Sequence, residues 1–61
     1  MLVRLTNYSN GLVIHLNSRM VVDVYEDREV NATTISMENG DTYRVKERMD
    51  QVVVAINKAA K

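Results

Sequence analysis

Residues 32–46 have the sequence ATTISMENGDTYRVK, which predicts two strands joined by a tight turn. In the first strand, Ile35 and Met37 alternate with polar residues, a pattern typical of a strand with one buried face. Asn39-Gly40 is a strong turn signal, because both residue types tolerate a positive φ angle. The alternation resumes after the turn, so this segment is predicted to be a β-hairpin.

The length of the loop determines which strand faces coincide. A two-residue Asn39-Gly40 loop would pair Ser36 with Tyr43 and put the apolar residues of the two strands on opposite faces. A loop that begins at Glu38 and ends at Gly40 instead brings the apolar residues of both strands to one face, namely Ile35, Met37, Tyr43 and Val45. We therefore predict a type I turn followed by Gly40 in the left-handed conformation, which makes a G1 bulge.

The size of the chain predicts self-association. Its 61 residues are predicted to form one domain, residues 1–61. A chain of this length buries only about 60% of the surface that its unfolded form exposes, and it usually needs a disulfide, a metal or oligomerisation. The sequence has no Cys, its single His15 cannot form a zinc site alone, and 46% of its residues are hydrophobic. We therefore predict a homo-oligomer.

The charge balance makes nucleic acid a less favoured partner. Eight basic and eight acidic residues give a net charge of zero, whereas duplex nucleic-acid binders usually have a basic excess. We also predict no membrane insertion, because no signal-peptide core and no apolar run near the ~20 residues of a membrane span are present. The lack of Cys fits a cytoplasmic location.

The rest of the chain predicts more strands and one helix. Alternation and turn residues predict strands at residues 1–6, 12–16 and 20–26, followed by the hairpin strands 32–38 and 41–46. In the third strand, Val22 and Val24 are predicted to share one face, and Val21, Asp23 and Tyr25 the other. The fold class is therefore α+β, with a five-stranded, mostly antiparallel sheet and one C-terminal helix.

The helix is predicted at residues 48–60. Its apolar residues have helical spacing, and they are Met49, Val52, Val53, Ile56 and Ala60. The β-branched run 52–54 leaves a short strand as the alternative, since such residues lose side-chain freedom in a helix. Val54 is predicted to point away from the core.

A ligand surface is predicted on the polar face of the hairpin. Arg44, Lys46 and Arg48 are spaced by two residues, and Thr34 and Ser36 should lie on the same face across the hairpin. Such a cationic, hydroxyl-rich face suits a phosphate or carboxylate, although a solvated face is the alternative. Tyr8 and Tyr25 can stack on a base or anchor a partner. The candidate ligand-binding residues are thus Arg44, Lys46, Thr34, Ser36, Tyr8 and Tyr25.

The sequence contains no recognisable catalytic or metal-binding motif. His15 is the single histidine, but no nucleophile or acid-base partner lies near it in sequence, so we predict a rim or interface imidazole. The second strand is apolar on both faces, which predicts that a partner covers one of them. The candidate oligomer-interface residues are Val13, His15, Val21 and Val54. No catalytic residue, metal or cofactor is predicted, and the chain is predicted not to be an enzyme.

The hairpin belongs to a longer pattern. Thr34-Ile35, Asn39-Gly40 and Tyr43-x-Val45-Lys46-Glu47 follow an upstream Leu5-Thr6, Asn10-Gly11 and His15-Leu16-Asn17. This pattern resembles the flagellar FlbD family of small β proteins, which implies a sheet-plus-helix fold, a link to motility and no catalysis. The chain departs from the family in a longer first loop, with Asn7 where Arg is common, in a stretch around 26–31 that looks inserted, and in Arg48 where a helix-capping Ser is frequent.

These observations predict a non-enzymatic, oligomeric interaction module that binds a protein partner, as FlbD-type motility accessory proteins are implied to do. Two alternatives remain. One is a phage-type accessory or anti-defence protein that sequesters a small anionic nucleotide at a subunit interface. The other is an RNA-binding sheet that uses Tyr8 or Tyr25 together with the arginines.

Overall fold

The computed structural model describes residues 1–59, which contain five strands, one 3₁₀ helix and one α-helix. The strands are β1 Leu2–Thr6, β2 Val13–Asn17, β3 Val21–Asp27, β4 Ala32–Met37 and β5 Thr42–Val45. The 3₁₀ helix Ser18–Met20 connects β2 to β3, and the α-helix α1 spans Met49–Ala59. The predicted α+β class, five strands and C-terminal helix are confirmed, while the predicted helix position Ala60 lies outside the described residues.

The strands form two antiparallel sheets, so the prediction of a single five-stranded sheet is wrong. β1 pairs with β2, and β4 lies between β3 and β5. The two sheets meet just after β1, where Asn7 forms an isolated bridge with Val45 and the Tyr8 N–H donates to the Arg44 carbonyl at 2.9 Å. The Lys46 N–H donates to the Thr6 carbonyl on the other side of this bridge at 2.9 Å, while the Asn7 N–H bonds to the Leu12 carbonyl at 2.8 Å and closes the β1–β2 loop.

The β4–β5 hairpin has the predicted register. Ile35 lies opposite Tyr43, and Thr33 lies opposite Val45. The Gly40 N–H donates to the Met37 carbonyl at 3.0 Å, and the Met37 N–H donates to the Asp41 carbonyl at 2.8 Å. Gly40 has a φ angle of 94°, which is the left-handed conformation of a G1 bulge. The three-residue loop is confirmed.

Replacing Gly40 with Val should lower the unfolding free energy by about 1–3 kcal/mol, the usual cost of strained backbone. A side chain at this position would meet no atom within 4 Å, so the expected loss comes from the backbone conformation and not from a clash. Urea unfolding measures this loss of unfolding free energy. Gly40→Asn is the matched control, since Asn tolerates positive φ, and a Val variant as stable as the parent would contradict the bulge.

The core lies between the inner faces of the two sheets and α1. Its buried apolar residues are Val3, Leu5, Leu16, Ile35, Met37, Val45 and Val52. On α1, Val52 is buried, and Ala55, Ile56 and Ala59 pack against the core, whereas the predicted core residues Met49 and Val53 are exposed. The helix is thus rotated relative to the prediction, so that Ala55 and Ala59 lie on its inner face.

A β-bulge in β3 reverses part of the predicted face assignment. Val21 lies opposite Met37 but Asp23 lies opposite Ser36, so Val22 is an extra residue. Val21 and Val24 therefore both pack against the core, while Val22 is 59% exposed. The prediction that Val22 shares a face with Val24 is wrong, because strict alternation does not hold across a bulge.

The helix begins without a capping Ser. The Gln51 Oε1 atom accepts a hydrogen bond from the Arg48 N–H at 3.1 Å, and the Val52 N–H donates to the Arg48 carbonyl at 3.0 Å. The first of these bonds is one half of a capping box, in which the third helical residue reaches back to the residue before the helix. Gln51 thus satisfies a backbone donor at the helix start.

Candidate functional site

Four of the six predicted ligand residues lie on the outer face of the three-stranded sheet. Tyr25, Thr34 and Arg44 form one row across β3, β4 and β5, because Thr34 lies opposite Tyr25 on one side and Arg44 on the other. Ser36 lies in the next row, opposite Asp23 and Thr42. The prediction that Thr34 and Ser36 share a face with Arg44 is confirmed.

Tyr8 joins this face from the β1–β2 loop. Its N–H bonds to the Arg44 carbonyl, and its hydroxyl donates to the Val30 carbonyl at 2.9 Å, so the residue is fixed at two points. A cleft of about 300 Å³ is lined by Tyr8, Thr34 and Arg44 together with Asn7, Ser9, Thr42 and Tyr43. Thr34 is only 9% exposed although it lies on the outer face. The structure therefore brings three of the six predicted ligand residues to one cleft.

This face is not cationic, contrary to the prediction. β5 ends at Val45, so Lys46 and Arg48 lie beyond the strand and line a different groove. Arg44, the one basic residue on the described strands of this face, has its Nη2 atom 3.2 Å from Asp27 Oδ2. Asp23 is also on the face, so its carboxylates outnumber its guanidinium. An anion would have to compete with Asp27 for Arg44.

A larger groove, of about 810 Å³, lies between the start of α1 and the β3–β4 turn. Met49, Val53 and Val54 supply apolar side chains, and the charged residues along it are Glu26, Lys46, Glu47, Arg48 and Asp50. The sequence prediction did not include this groove. The sequence feature that could have indicated this groove is the apolar run 52–54, because three consecutive apolar residues cannot all lie on the buried face of one helix.

The β1–β2 sheet has an open edge and an uncovered face. Val13 and His15 are exposed on the outer face, opposite Thr6 and Arg4, and Leu12 is 64% exposed beside them. Within residues 1–59, β2 pairs with β1 alone, which leaves its second edge without a neighbouring strand. β3 also has an open edge, but the bulge at Val22 and its acidic side chains protect it against pairing.

The four predicted interface residues do not form one surface. Val13 and His15 lie together on the outer face of β2. Val21 packs against the core, which corrects its assignment to a surface, because the bulge turns it inward. Val54 lies on α1 and is 52% exposed. Two separate surfaces, the outside of β2 and the outside of α1, therefore carry the exposed members of the set.

A polar pair that the sequence prediction did not single out connects β1 to the start of α1. Glu47 accepts two hydrogen bonds from Thr6, from the N–H to Oε1 and from the hydroxyl to Oε2, both at 2.9 Å. The Thr33 hydroxyl donates to the Glu47 carbonyl at 2.7 Å. Both Thr6 and Glu47 belong to the FlbD-like pattern, which was the available signal. Their role in the fold is to hold the junction of the two sheets.

Comparison with protein-family models, with curated proteins and with solved structures finds no match to this chain. In the part of the chain that the structure describes, no α-helix is long and apolar enough to cross a membrane. Residues 1–59 also contain no group of three or more His, Cys, Asp and Glu side chains placed to hold a metal ion.

Proposed function

We propose that this chain is a non-enzymatic, cytoplasmic interaction module that self-associates and binds a protein partner along the open edge of β2. The observation that carries the proposal is the unprotected edge itself. An open strand edge presents unpaired N–H and C=O groups, and proteins usually protect it with Lys, Pro, a bulge or a covering element. β2 has the sequence VIHLN and a regular register, with none of these protections in the strand.

The edge suits a partner segment in extended conformation. Such a segment adds a strand to the sheet, gains affinity from main-chain hydrogen bonds, and gains specificity from alternate side chains. Leu12 and Val13 supply exposed apolar contacts beside the edge, and the exposed Leu2 lies one strand away on β1. Arg4 is the basic residue of β1 on this face, opposite His15. A partner strand would pair with β2 on the side away from β1, so it is expected to carry apolar residues beside Val13, while Arg4 lies one strand further away, behind His15.

The resemblance to the FlbD family supports the same class of function, since that family is linked to motility and has no known catalytic role. RNA binding is the weakest candidate, because the face that holds Tyr25 and Arg44 also holds Asp23 and Asp27. A nucleic-acid surface needs a basic excess to neutralise phosphates. Among the described residues, this face has no basic excess, because its single guanidinium is paired with Asp27 and Asp23 adds a second carboxylate.

Sequestration of a small anionic nucleotide has one supporting observation, the cleft that contains Tyr8, Thr34 and Arg44. Aromatic, hydroxyl and guanidinium groups together can bind a base and a phosphate. Native mass spectrometry of protein purified from cells separates the two candidates. A reproducible nucleotide mass on the oligomer would support sequestration, whereas the protein-binding proposal expects an oligomer without it.

The substitution Val13→Lys should block partner binding without unfolding the protein. Val13 is exposed, so Val13→Lys should change the unfolding free energy by no more than about 0.5 kcal/mol. The added Lys charge should disfavour pairing of another strand at this edge. Random peptides displayed on phage would be selected for binding to the parent protein. The affinity of the selected peptides would then be measured by calorimetric titration. Affinity for Val13→Lys should fall at least about tenfold, a loss of roughly 1.4 kcal/mol.

Val22→Lys is the matched control, because Val22 is also an exposed valine, at 59% against 46% for Val13, but lies on β3. The selected peptides should bind this variant like the parent. They should also slow amide hydrogen exchange in residues 13–17, as an added strand would. Peptides that bind both Lys variants equally, or that leave exchange in β2 unchanged, would contradict the proposed edge.

A further inference from the structure

The outer face of α1 carries a charge pattern that is complementary to itself. Asp50, Val54 and Lys58 are spaced by four residues, so they lie along one side of the helix, and all three are exposed. The opposite side, which includes Val52 and Ala59, packs against the core. One side of the helix thus presents an acid near its start, an apolar residue in its middle and a base near its end.

We infer that this face is the self-association surface, and that α1 packs antiparallel against α1 of a second copy. The inference rests on the proposed function, whose self-association it assigns to a surface. A two-fold axis through Val54 places the residue four positions before it opposite the residue four positions after it. Asp50 of each copy then meets Lys58 of the other, and the two Val54 side chains meet at the axis.

The same charges disfavour the parallel arrangement. Parallel helices would put Asp50 beside Asp50 and Lys58 beside Lys58, and like charges across an interface suppress that pairing. Antiparallel packing also sets the positive end of each helix dipole beside the negative end of the other. A second copy therefore fits the face in one orientation.

The surface around the helix adds to the contact. A stable interface buries about 800 Å² on each partner, more than one helix of 11 residues provides. Met49 and Val53 form a second apolar row beside Val54 and line the groove of about 810 Å³ that runs to the β3–β4 turn. The second copy is expected to cover this groove as well, in an interface of the smaller, weaker class.

Two charge reversals test the orientation. Asp50→Lys would place Lys against Lys twice in a dimer, and Lys58→Asp would place Asp against Asp twice. Each variant alone is expected to be monomeric, with a dissociation constant raised at least about tenfold. An equimolar mixture of the two should form a heterodimer, because both contacts are then between Lys and Asp. Analytical ultracentrifugation measures the masses, and circular dichroism checks that each variant is folded.

A second pair of variants tests the centre of the contact independently of the helix charges. Val54→Asp buries two facing carboxylates at the axis and should abolish the dimer, while Val22→Asp, on exposed β3 surface, should leave it intact. The helix interface is overturned if the parent and its α1 variants are all dimeric, or if the mixture of the two charge variants stays monomeric. Neither result would overturn self-association itself. A monomeric parent at high concentration overturns both. Peptide binding at β2 should be unchanged by every α1 variant.

Discussion

Most of the stability of this protein is expected to be lost when Ile35 is replaced by Ala. Ile35 is 0% exposed on β4, the middle strand of its sheet, between Val24 and Tyr43. Removing a buried Ile side chain to Ala costs about 2–5 kcal/mol. A chain of 61 residues has a total stability of about 3–9 kcal/mol, at roughly 0.05–0.15 kcal/mol per residue. The variant should therefore unfold at a much lower urea concentration than the parent.

Ile35→Val and Val22→Ala complete this experiment. The first removes one methylene from the same site and should cost about 0.5–1.5 kcal/mol. The second removes a similar apolar group from an exposed position and should change stability by no more than about 0.5 kcal/mol. If Ile35→Ala and Val22→Ala unfold at the same urea concentration, β4 is not the central strand of the core.

The second large effect is expected at Glu47. Replacing it with Ala removes the acceptor of both Thr6 hydrogen bonds and leaves a half-buried N–H group unpaired at the junction of the sheets. A hydrogen bond to a charged group contributes about 1.5–3 kcal/mol, so we expect a loss of about 2–3 kcal/mol for the partly exposed pair. Urea unfolding gives the value, and hydrogen exchange at Thr6 should accelerate more than exchange at Ile35.

Three variants separate the parts of this pair. Glu47→Gln keeps an acceptor oxygen and should recover part of the loss, while Thr6→Val removes the hydroxyl but keeps the N–H. A double-mutant cycle between Glu47→Ala and Thr6→Val should give a coupling energy above about 0.5 kcal/mol. Glu29→Ala, at an exposed position in the β3–β4 turn, controls for loss of a carboxylate. A Glu47→Ala variant that matches Glu29→Ala in stability would rule out a structural role for the pair.

The β4–β5 hairpin was predictable because its determinants are adjacent in sequence. Asn39-Gly40 fixes the turn, and the requirement that Ile35 and Tyr43 share a face fixes the loop length. Both requirements are local, so no distant residue had to be known. The same local argument placed Thr34, Ser36 and Arg44 on one face, and the structure agrees.

The electrostatic character of that face was not predictable, because it depends on contacts between distant residues. Arg44 and Asp27 are separated by 17 positions and meet only once β3 pairs with β4 and β4 with β5. Lys46 left the face because the strand ended one residue earlier than the alternation suggested. Alternation predicts which side a residue takes while a strand lasts, but packing determines where the strand stops.

Composition and periodicity were sufficient for five strands, one C-terminal helix and the register of the hairpin, because these depend on turns and on residues a few positions apart. Tertiary packing decided the bulge at Val22, the rotation of α1 that exposes Met49 and Val53, and the division into two sheets. Each of these features depends on how residues far apart in sequence pack around one small core. A short segment contains only some of those residues, so it cannot predict the feature. The sequence already predicted Val13, His15 and Val54 to be interface residues, but only the folded chain shows that the outer faces of β2 and α1 are two separate surfaces, because their relative position depends on packing.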